Sequence, residues 1–157
     1  MAHEVIIYTD GASRGNPGPG GYGVVMMSGK HRKEMSEGFR RTTNNRMELL
    51  AVIKALEALK KEGSEVTLYT DSKYVADAIN KGWVYTWERK NYKKKKNIDL
   101  WKSLMKLYRK HNVDIHWVRG HSNVRENERC DQLAVEASKK GDLSIDKGYE
   151  EETGDLF

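Results

Sequence analysis

The 157-residue chain is long enough to bury the core of one domain without disulfides or structural metals. Its single cysteine excludes an internal disulfide and is typical of a reducing compartment, and no stretch is long and apolar enough to span a membrane, so we expect a cytoplasmic protein. Six acids and one base lie in residues 142–157, which leaves residues 1–141 with 27 bases, 17 acids and a net charge of +10, a charge that is expected to attract a polyanion.

The first part of the chain is predicted to form three strands in hairpin connection. Strand one covers residues 4–9 and leads into residues 11–23, where six glycines and both prolines indicate a turn-rich loop. Strand two covers residues 22–27, and a turn at Ser28 and Gly29 joins it to strand three, residues 31–39.

The second part of the chain alternates between helices and strands. The predicted elements are a helix from about residue 44 to 61, a strand over 66–71, a short helix over 72–80, a helix over 99–111, a strand over 113–117 and a helix over 126–140. The acidic residues 142–157 are expected to form a disordered tail outside a domain of residues 1–141. This order of elements predicts a mixed α/β sheet with helices on both faces.

The sequence Tyr-Thr-Asp occurs twice, and each copy ends a predicted strand, at Asp10 and at Asp71. Neighbouring strands lie about 4.8 Å apart, so adjacent strands would bring these two carboxylates face to face. Such a pair is costly without a cation between its members. A metal site is therefore the leading hypothesis from the residues alone.

Two further acids lie on predicted helices. Glu48 lies in line with the apolar stripe of the first long helix, and Asp131 lies early in the last helix. Taken alone, Glu48 is explained by the helix dipole and Asp131 as a surface residue. Four inward-facing carboxylates together are the hard oxygen ligands that Mg²⁺ prefers, and two such ions can activate a water and stabilise the leaving oxygen of a phosphodiester.

Six motifs closely resemble bacterial type I ribonuclease H. They are Tyr8–Gly11, Gly15–Gly23, Thr42–Leu49, Thr70–Ser72, Trp117–His121 and Asn127–Asp131, in order over residues 5 to about 140. The resemblance implies a five-stranded mixed sheet in the order 3-2-1-4-5. It also implies Mg²⁺-dependent endonucleolytic cleavage of the RNA strand of an RNA–DNA hybrid, leaving 3′-hydroxyl and 5′-phosphate ends, with two ions bound alongside substrate and Mn²⁺ as a substitute.

The resemblance also assigns roles to individual residues. Asp10, Glu48, Asp71 and Asp131 would be the catalytic metal ligands, and His121 would help to activate water or release product. Asn16, Asn44 and Asn45 would contact the minor groove, Arg41, Thr43 and Asn97 would hold a DNA phosphate, Trp83 and Trp87 would line a channel, and Lys93, Lys94, Lys95 and Lys96 would bind further phosphates. The three minor-groove asparagines also suit a turn or a helix cap, and either tryptophan also suits a core position.

The sequence departs from the pattern of the family at two places, and its last residues suggest a further contact. Residues 88–96 are shorter than the basic handle of many bacterial relatives, and Lys73 stands where relatives often have an uncharged amide. Asp155, Leu156 and Phe157 resemble short peptides that dock on the sliding clamp, although an inert solubilising tail is the alternative.

Three other functions compete with the nuclease. A non-catalytic module for hybrids or double-stranded RNA would be free to lose one of the four acids, and all four are present. A different two-metal enzyme, such as an integrase or a junction resolvase, would have no need of the asparagines at 16, 44 and 45. A thiol nucleophile formed by Cys130 with His121 conflicts with the apolar helical stripe around Cys130. The sequence leaves open the preferred ion, the metal count without substrate and the cleavage-site preference, and a monomer is expected.

Overall fold

The computed structural model describes residues 4–120 and 124–154. Within these residues the strands are β1 (Glu4–Ser13), β2 (Gly18–Ser28), β3 (His31–Thr42), β4 (Glu65–Thr70) and β5 (Asn112–Trp117). The helices are α1 (Asn44–Glu57), α2 (Lys73–Asn80), α3 (Trp83–Arg89), α4 (Ile98–Tyr108), α5 (Arg125–Ser138) and α6 (Lys147–Thr153).

The five strands form one mixed sheet in the order β3-β2-β1-β4-β5, which confirms the predicted topology. β1 runs antiparallel to β2 and parallel to β4, and β4 runs parallel to β5. Thr9 of β1 pairs with Thr70, the last residue of β4, so the residues that follow them, Asp10 and Asp71, lie at the same level.

Helices cover both faces of the sheet. Val24 packs into the main core, which contains Leu56 of α1, whereas its neighbour Val25 packs against Cys130 and Leu133 of α5. Because successive side chains of a strand point to opposite faces, α1 and α5 lie on opposite sides of the sheet.

The glycine-rich segment is more regular than the sequence predicts. β1 continues to Ser13 and β2 already begins at Gly18, so the expected loop is reduced to residues 14–17. A Cβ atom added at Gly21 or at Gly23 would overlap backbone oxygen atoms of α5. These two glycines therefore serve close helix-to-sheet packing rather than a turn.

Two helices have bounds that differ from the predicted ones. Thr43 caps α1, its hydroxyl accepting from the Arg46 N–H, but α1 ends at Glu57 rather than near residue 61. The last turn tightens there, because the Ala58 N–H also bonds to the carbonyl three residues back. α4 begins at Ile98 rather than at Asp99, whose carboxylate pairs instead with Arg46 at 2.7 Å.

The predicted disorder of the acidic tail is wrong for residues 144–154. Ser144 pairs with Phe39 at the edge of the sheet, and α6 follows. Asp146 is buried and accepts a hydrogen bond from Arg46 at 2.8 Å. The buried Glu150 forms a bidentate ion pair with Arg40. Two acids of the expected tail, Asp146 and Glu150, are thus neutralised by arginines of the body, and the folded unit passes the expected boundary at residue 141.

No helix in the described part of the chain combines the length and the apolar character needed to cross a bilayer.

Candidate active site

Three of the four predicted acids meet at one edge of the sheet. Asp10 lies within β1, Asp71 directly follows β4, and Glu48 lies in the second turn of α1. One carboxylate oxygen from each lies within 4.8 Å of the other two. Such a spacing suits a shared divalent cation.

Gly11 allows α1 to reach this edge of the sheet. A Cβ atom at Gly11 would overlap the backbone of Met47 and Glu48, so any larger residue would push the helix away. The Gly11 N–H also donates to Asp10 at 2.8 Å. Glycine at this position therefore brings the Glu48 carboxylate next to that of Asp10.

The electrostatics of the three acids favour a bound cation. Burial, followed by the charges of Asp71 and Asp131, raises the pKa of Asp10 to about 8. Burial, followed by the charges of Asp10 and Asp71, raises the pKa of Glu48 well above its usual range. Oε1 of Glu48 and Oδ1 of Asp71 are buried, and neither has a hydrogen-bond partner among the described residues. A divalent cation would satisfy both oxygens and stabilise the ionised acids, so the donor set fits a metal.

Asp131 reaches the same cavity from α5. This cavity, here called the carboxylate cavity, has a volume of about 400 Å³ and is lined by all four acids. Asp131 is not part of the tight group of three, but its negative charge contributes to the raised pKa of Asp10. The predicted His121 lies outside the described residues.

The minor-groove asparagines also support the loops around the cavity. The Asn44 side-chain oxygen accepts from the Ser13 N–H at 2.6 Å, and that of Asn16 accepts from the Asn44 N–H at 3.2 Å. Both asparagines are exposed at the surface. The loop after β1 is thereby fastened to the start of α1, whereas Thr43, rather than Asn44 or Asn45, caps the helix.

A second cavity lies beside the first and is here called the Thr43 cavity. Its volume is about 390 Å³. Its walls are Asn16, Pro17, Thr43, Asn45, Lys96, Asn97, Tyr149, Glu152 and Thr153. Two of the three predicted phosphate-pocket residues, Thr43 and Asn97, therefore lie in it, whereas Arg41 is exposed at the end of β3 and is not part of its lining. Asn45 lines both cavities, which are therefore adjacent.

The basic segment after α3 is short and folded back on the body. Trp83 is 47% exposed, whereas the half-buried Trp87 packs edge-on against Trp101 with 5.4 Å between ring centroids. Tyr92 is buried and anchors a series of turns, and Lys95 lies over the Trp87 ring. Lys93 to Lys96 are all exposed, so a row of cations remains at the surface despite the short handle.

Comparison with known proteins identifies the family. The RNase H family model matches residues 2–139. The chain belongs to the ribonuclease H family. A ribonuclease H of Syntrophus aciditrophicus is 58% identical over 151 residues, which cover 93% of this chain and 87% of that protein.

Solved structures of the family share this fold. LC9-RNase H1, a type 1 RNase H with the type 2 active-site motif, is 33% identical with a TM-score of 0.82, covering 98% of this chain and 82% of that one. LC11-RNase H1, solved in complex with an RNA/DNA hybrid, is 28% identical with a TM-score of 0.66, covering 85% of this chain and 95% of that one.

Two residues for which the sequence predicts no role support the site of this ribonuclease H family member. The Trp117 indole N–H donates to the Asp71 carbonyl at 3.1 Å. A Cβ atom at Gly120 would lie 3.1 Å from the Asp71 carboxylate, so glycine leaves room for that side chain. Both residues lie in the motif that precedes His121, and only this proximity in sequence could have indicated their part in the site.

The thiol alternative has no support in the structure. Cys130 is fully buried, and its Sγ donates to the Tyr8 carbonyl at 3.2 Å. Burial raises the pKa of the thiol, which opposes formation of a thiolate. Cys130 is therefore a core residue that fixes α5 to β1.

Proposed function

We propose that this member of the ribonuclease H family is an endonuclease that hydrolyses the RNA strand of RNA–DNA hybrids and leaves 3′-hydroxyl and 5′-phosphate ends. The observation that carries the proposal is the group of Asp10, Glu48 and Asp71, whose oxygens lie within 4.8 Å of one another at the edge of the sheet. The hybrid bound in the structure of LC11-RNase H1 supports the choice of substrate.

The proposed cofactor is Mg²⁺, with Mn²⁺ as a substitute. Divalent ions supply the activation of water and the stabilisation of the leaving oxygen. Asp10, Glu48 and Asp71 would hold them, and Asp131 would complete the set from the opposite face of the sheet. The buried oxygens of Glu48 and Asp71 that lack partners among the described residues are the atoms best placed to serve as ligands.

The proposed substrate contacts fall into two groups, one for each strand of the hybrid. Asn16, Asn44 and Asn45 are short amides beside the carboxylate cavity, suited to the 2′-hydroxyls that distinguish RNA from DNA in the minor groove. The DNA strand would be held by Arg41, by Thr43 and Asn97, by the exposed Trp83 with Trp87, and by the lysines of residues 93–96.

Three expectations are not tested by the described residues. His121 is proposed to assist water activation or product release, because its chain neighbour Gly120 lies against Asp71. The contact of Asp155, Leu156 and Phe157 with a sliding clamp stays a prediction, since these residues lie outside the described part of the chain. The cytoplasmic location likewise stays a prediction.

Incubation with a labelled hybrid, a DNA duplex and an RNA duplex, each with Mg²⁺ and with chelator, tests the proposal. We expect cleavage of the RNA strand of the hybrid in the presence of Mg²⁺, and no cleavage in the presence of chelator. Ready cutting of the DNA duplex would favour an integrase or resolvase activity. Tight binding of the hybrid without cleavage in either Mg²⁺ or Mn²⁺ would favour the non-catalytic module.

A further inference from the structure

α6 presents two different faces to the body of the protein. Glu150 points toward the sheet, where it is buried and pairs with Arg40 at 2.7 Å. Tyr149, Glu152 and Thr153 line the Thr43 cavity. Residues three and four apart share one side of a helix, so this second group is a continuous face. The same helix is thus fastened by one side and faces the proposed substrate surface with the other.

The attachment holds α6 in place beside the cavity. Asp146, which caps the helix, accepts from Arg46 at 2.8 Å and from the Thr42 hydroxyl at 2.6 Å. Arg46 is 1% exposed and is therefore a fixed partner. α6 consequently behaves as a wall of the Thr43 cavity rather than as a tail that samples many positions.

The other walls of the cavity have the chemistry of a phosphate site. Lys96 supplies a cation, Asn16, Asn45 and Asn97 are amides, and Thr43 is a hydroxyl residue. Backbone phosphates are contacted by side chains of these types. Glu152 is the exception, because its carboxylate brings a negative charge to a cavity that otherwise suits an anion.

We propose that α6 is part of the nucleic-acid-binding surface and that Glu152 opposes the DNA-strand phosphate in the Thr43 cavity, so that it sets how tightly the hybrid is held. The proposal rests on the hybrid nuclease function proposed above and extends it to residues beyond the six family motifs. A carboxylate within one Debye length of a phosphate, about 8 Å at physiological salt, weakens binding in a way that salt relieves.

Charge-neutral variants of two neighbouring residues test this assignment. Glu151 is exposed, pairs with Lys147 at 3.8 Å and does not line the cavity, so Glu151→Gln removes the same charge from the same helix at another face. Each variant is compared with the parent for hybrid cleavage, and for hybrid binding in an Asp10→Asn background. For Glu152→Gln we expect KM and Kd to fall about threefold at low salt with kcat unchanged, a change that disappears at high salt. For Glu151→Gln we expect less than half of that effect.

Each result bears on the proposal in a defined way. Equal effects of the two variants would reduce the role of Glu152 to net charge and overturn the assignment, as would no effect of either or weaker binding by Glu152→Gln. A parent protein that neither binds nor cleaves the hybrid would remove the proposed nuclease function and this inference with it. Normal cleavage by the parent, combined with equal behaviour of the two variants, would remove this inference alone.

Discussion

The Lys73 ammonium lies over the indole ring of Trp117, with 4.7 Å between its nitrogen and the ring centroid. The same indole donates its N–H to the carbonyl of Asp71. Among the described residues, Lys73 is the single cation that lines the carboxylate cavity. Although it is exposed, Lys73 is therefore held beside the proposed metal ligands.

This placement predicts a direct contact between Lys73 and a phosphate of the substrate. We expect Lys73→Gln to raise KM and to reduce the slope of log Kd against log salt by about 0.9, the value for one lost phosphate contact on a duplex. The slope is measured by titrating the hybrid at several salt concentrations in an Asp10→Asn background. Lys60→Gln, on an exposed residue beyond the far end of α1, is the matched control and should leave the slope unchanged. Identical slopes for Lys73→Gln and Lys60→Gln would exclude the contact.

Asp10→Asn is expected to reduce cleavage of the hybrid by a factor of about 10²–10³ or more while leaving hybrid binding close to normal. An amide cannot hold a divalent cation as a carboxylate does, but the asparagines and lysines of the substrate surface remain. Single-turnover cleavage and filter binding measure the two quantities separately. Asp142→Asn, at an exposed acid that lines neither the carboxylate cavity nor the Thr43 cavity, should leave both unchanged. Near-normal cleavage by Asp10→Asn would contradict the metal-ligand role.

The raised pKa of Asp10 predicts how the stability of the metal-free protein depends on pH. Its pKa is about 8 in the folded protein, because of burial and the charges of Asp71 and Asp131, against about 4 in an unfolded chain. The folded carboxyl group holds its proton more tightly, so this group contributes full stability below about pH 4 and loses it as the pH rises through about 8.

Urea unfolding with chelator at pH 5 and at pH 8 measures this dependence. Between these values we expect the wild-type protein to lose roughly 3 to 4 kcal/mol more than Asp10→Asn, because the amide does not ionise. Saturating Mg²⁺ should reduce the difference, since an ion bound to the folded state alone stabilises the ionised carboxylate. Parallel pH dependences for the two proteins would show that ionisation of Asp10 does not destabilise the metal-free protein.

The sheet and the acids at its edge could be predicted because their signals are local. Alternating and helical apolar patterns gave the five strands and the helices α1, α2, α4 and α5, but not α3. The two Tyr-Thr-Asp sequences indicated neighbouring strands with their aspartates at the same level. The pairing of Thr9 with Thr70 agrees with that expectation. Proximity of Glu48 followed from its position on the core-facing stripe of α1.

The parts that were missed depend on partners distant in sequence. α6 is ordered because Glu150 meets Arg40, which is 110 positions away, and a composition rich in acids contains no trace of that pairing. Gly21 was predicted in a loop because glycine disfavours strands. Only the position of α5 above Gly21 and Gly23 explains why glycine occupies both positions. The bond from Trp117 to Asp71 spans 46 positions and is equally invisible to local patterns.

The ion pair between Arg46 and Asp146 links stability to the proposed role of α6. Asp146→Asn removes the charge of one partner from a buried arginine, although Asp99 still pairs with it, so we expect a loss of about 3 kcal/mol in the free energy of unfolding. Glu151→Gln, at an exposed position, should change it by about 0.5 kcal/mol or less.

Asp146→Asn also separates the attachment of α6 from the effect of the Glu152 charge. If Asp146 fixes the helix beside the Thr43 cavity, Glu152→Gln should lose most of its effect on hybrid affinity when it is combined with Asp146→Asn, because the carboxylate is then no longer held opposite the phosphate. Binding of the hybrid to the single and double variants, all in the Asp10→Asn background, gives this coupling as a double-mutant cycle. Additive effects would mean that Glu152 acts without the anchor, and that the buried pair serves stability alone.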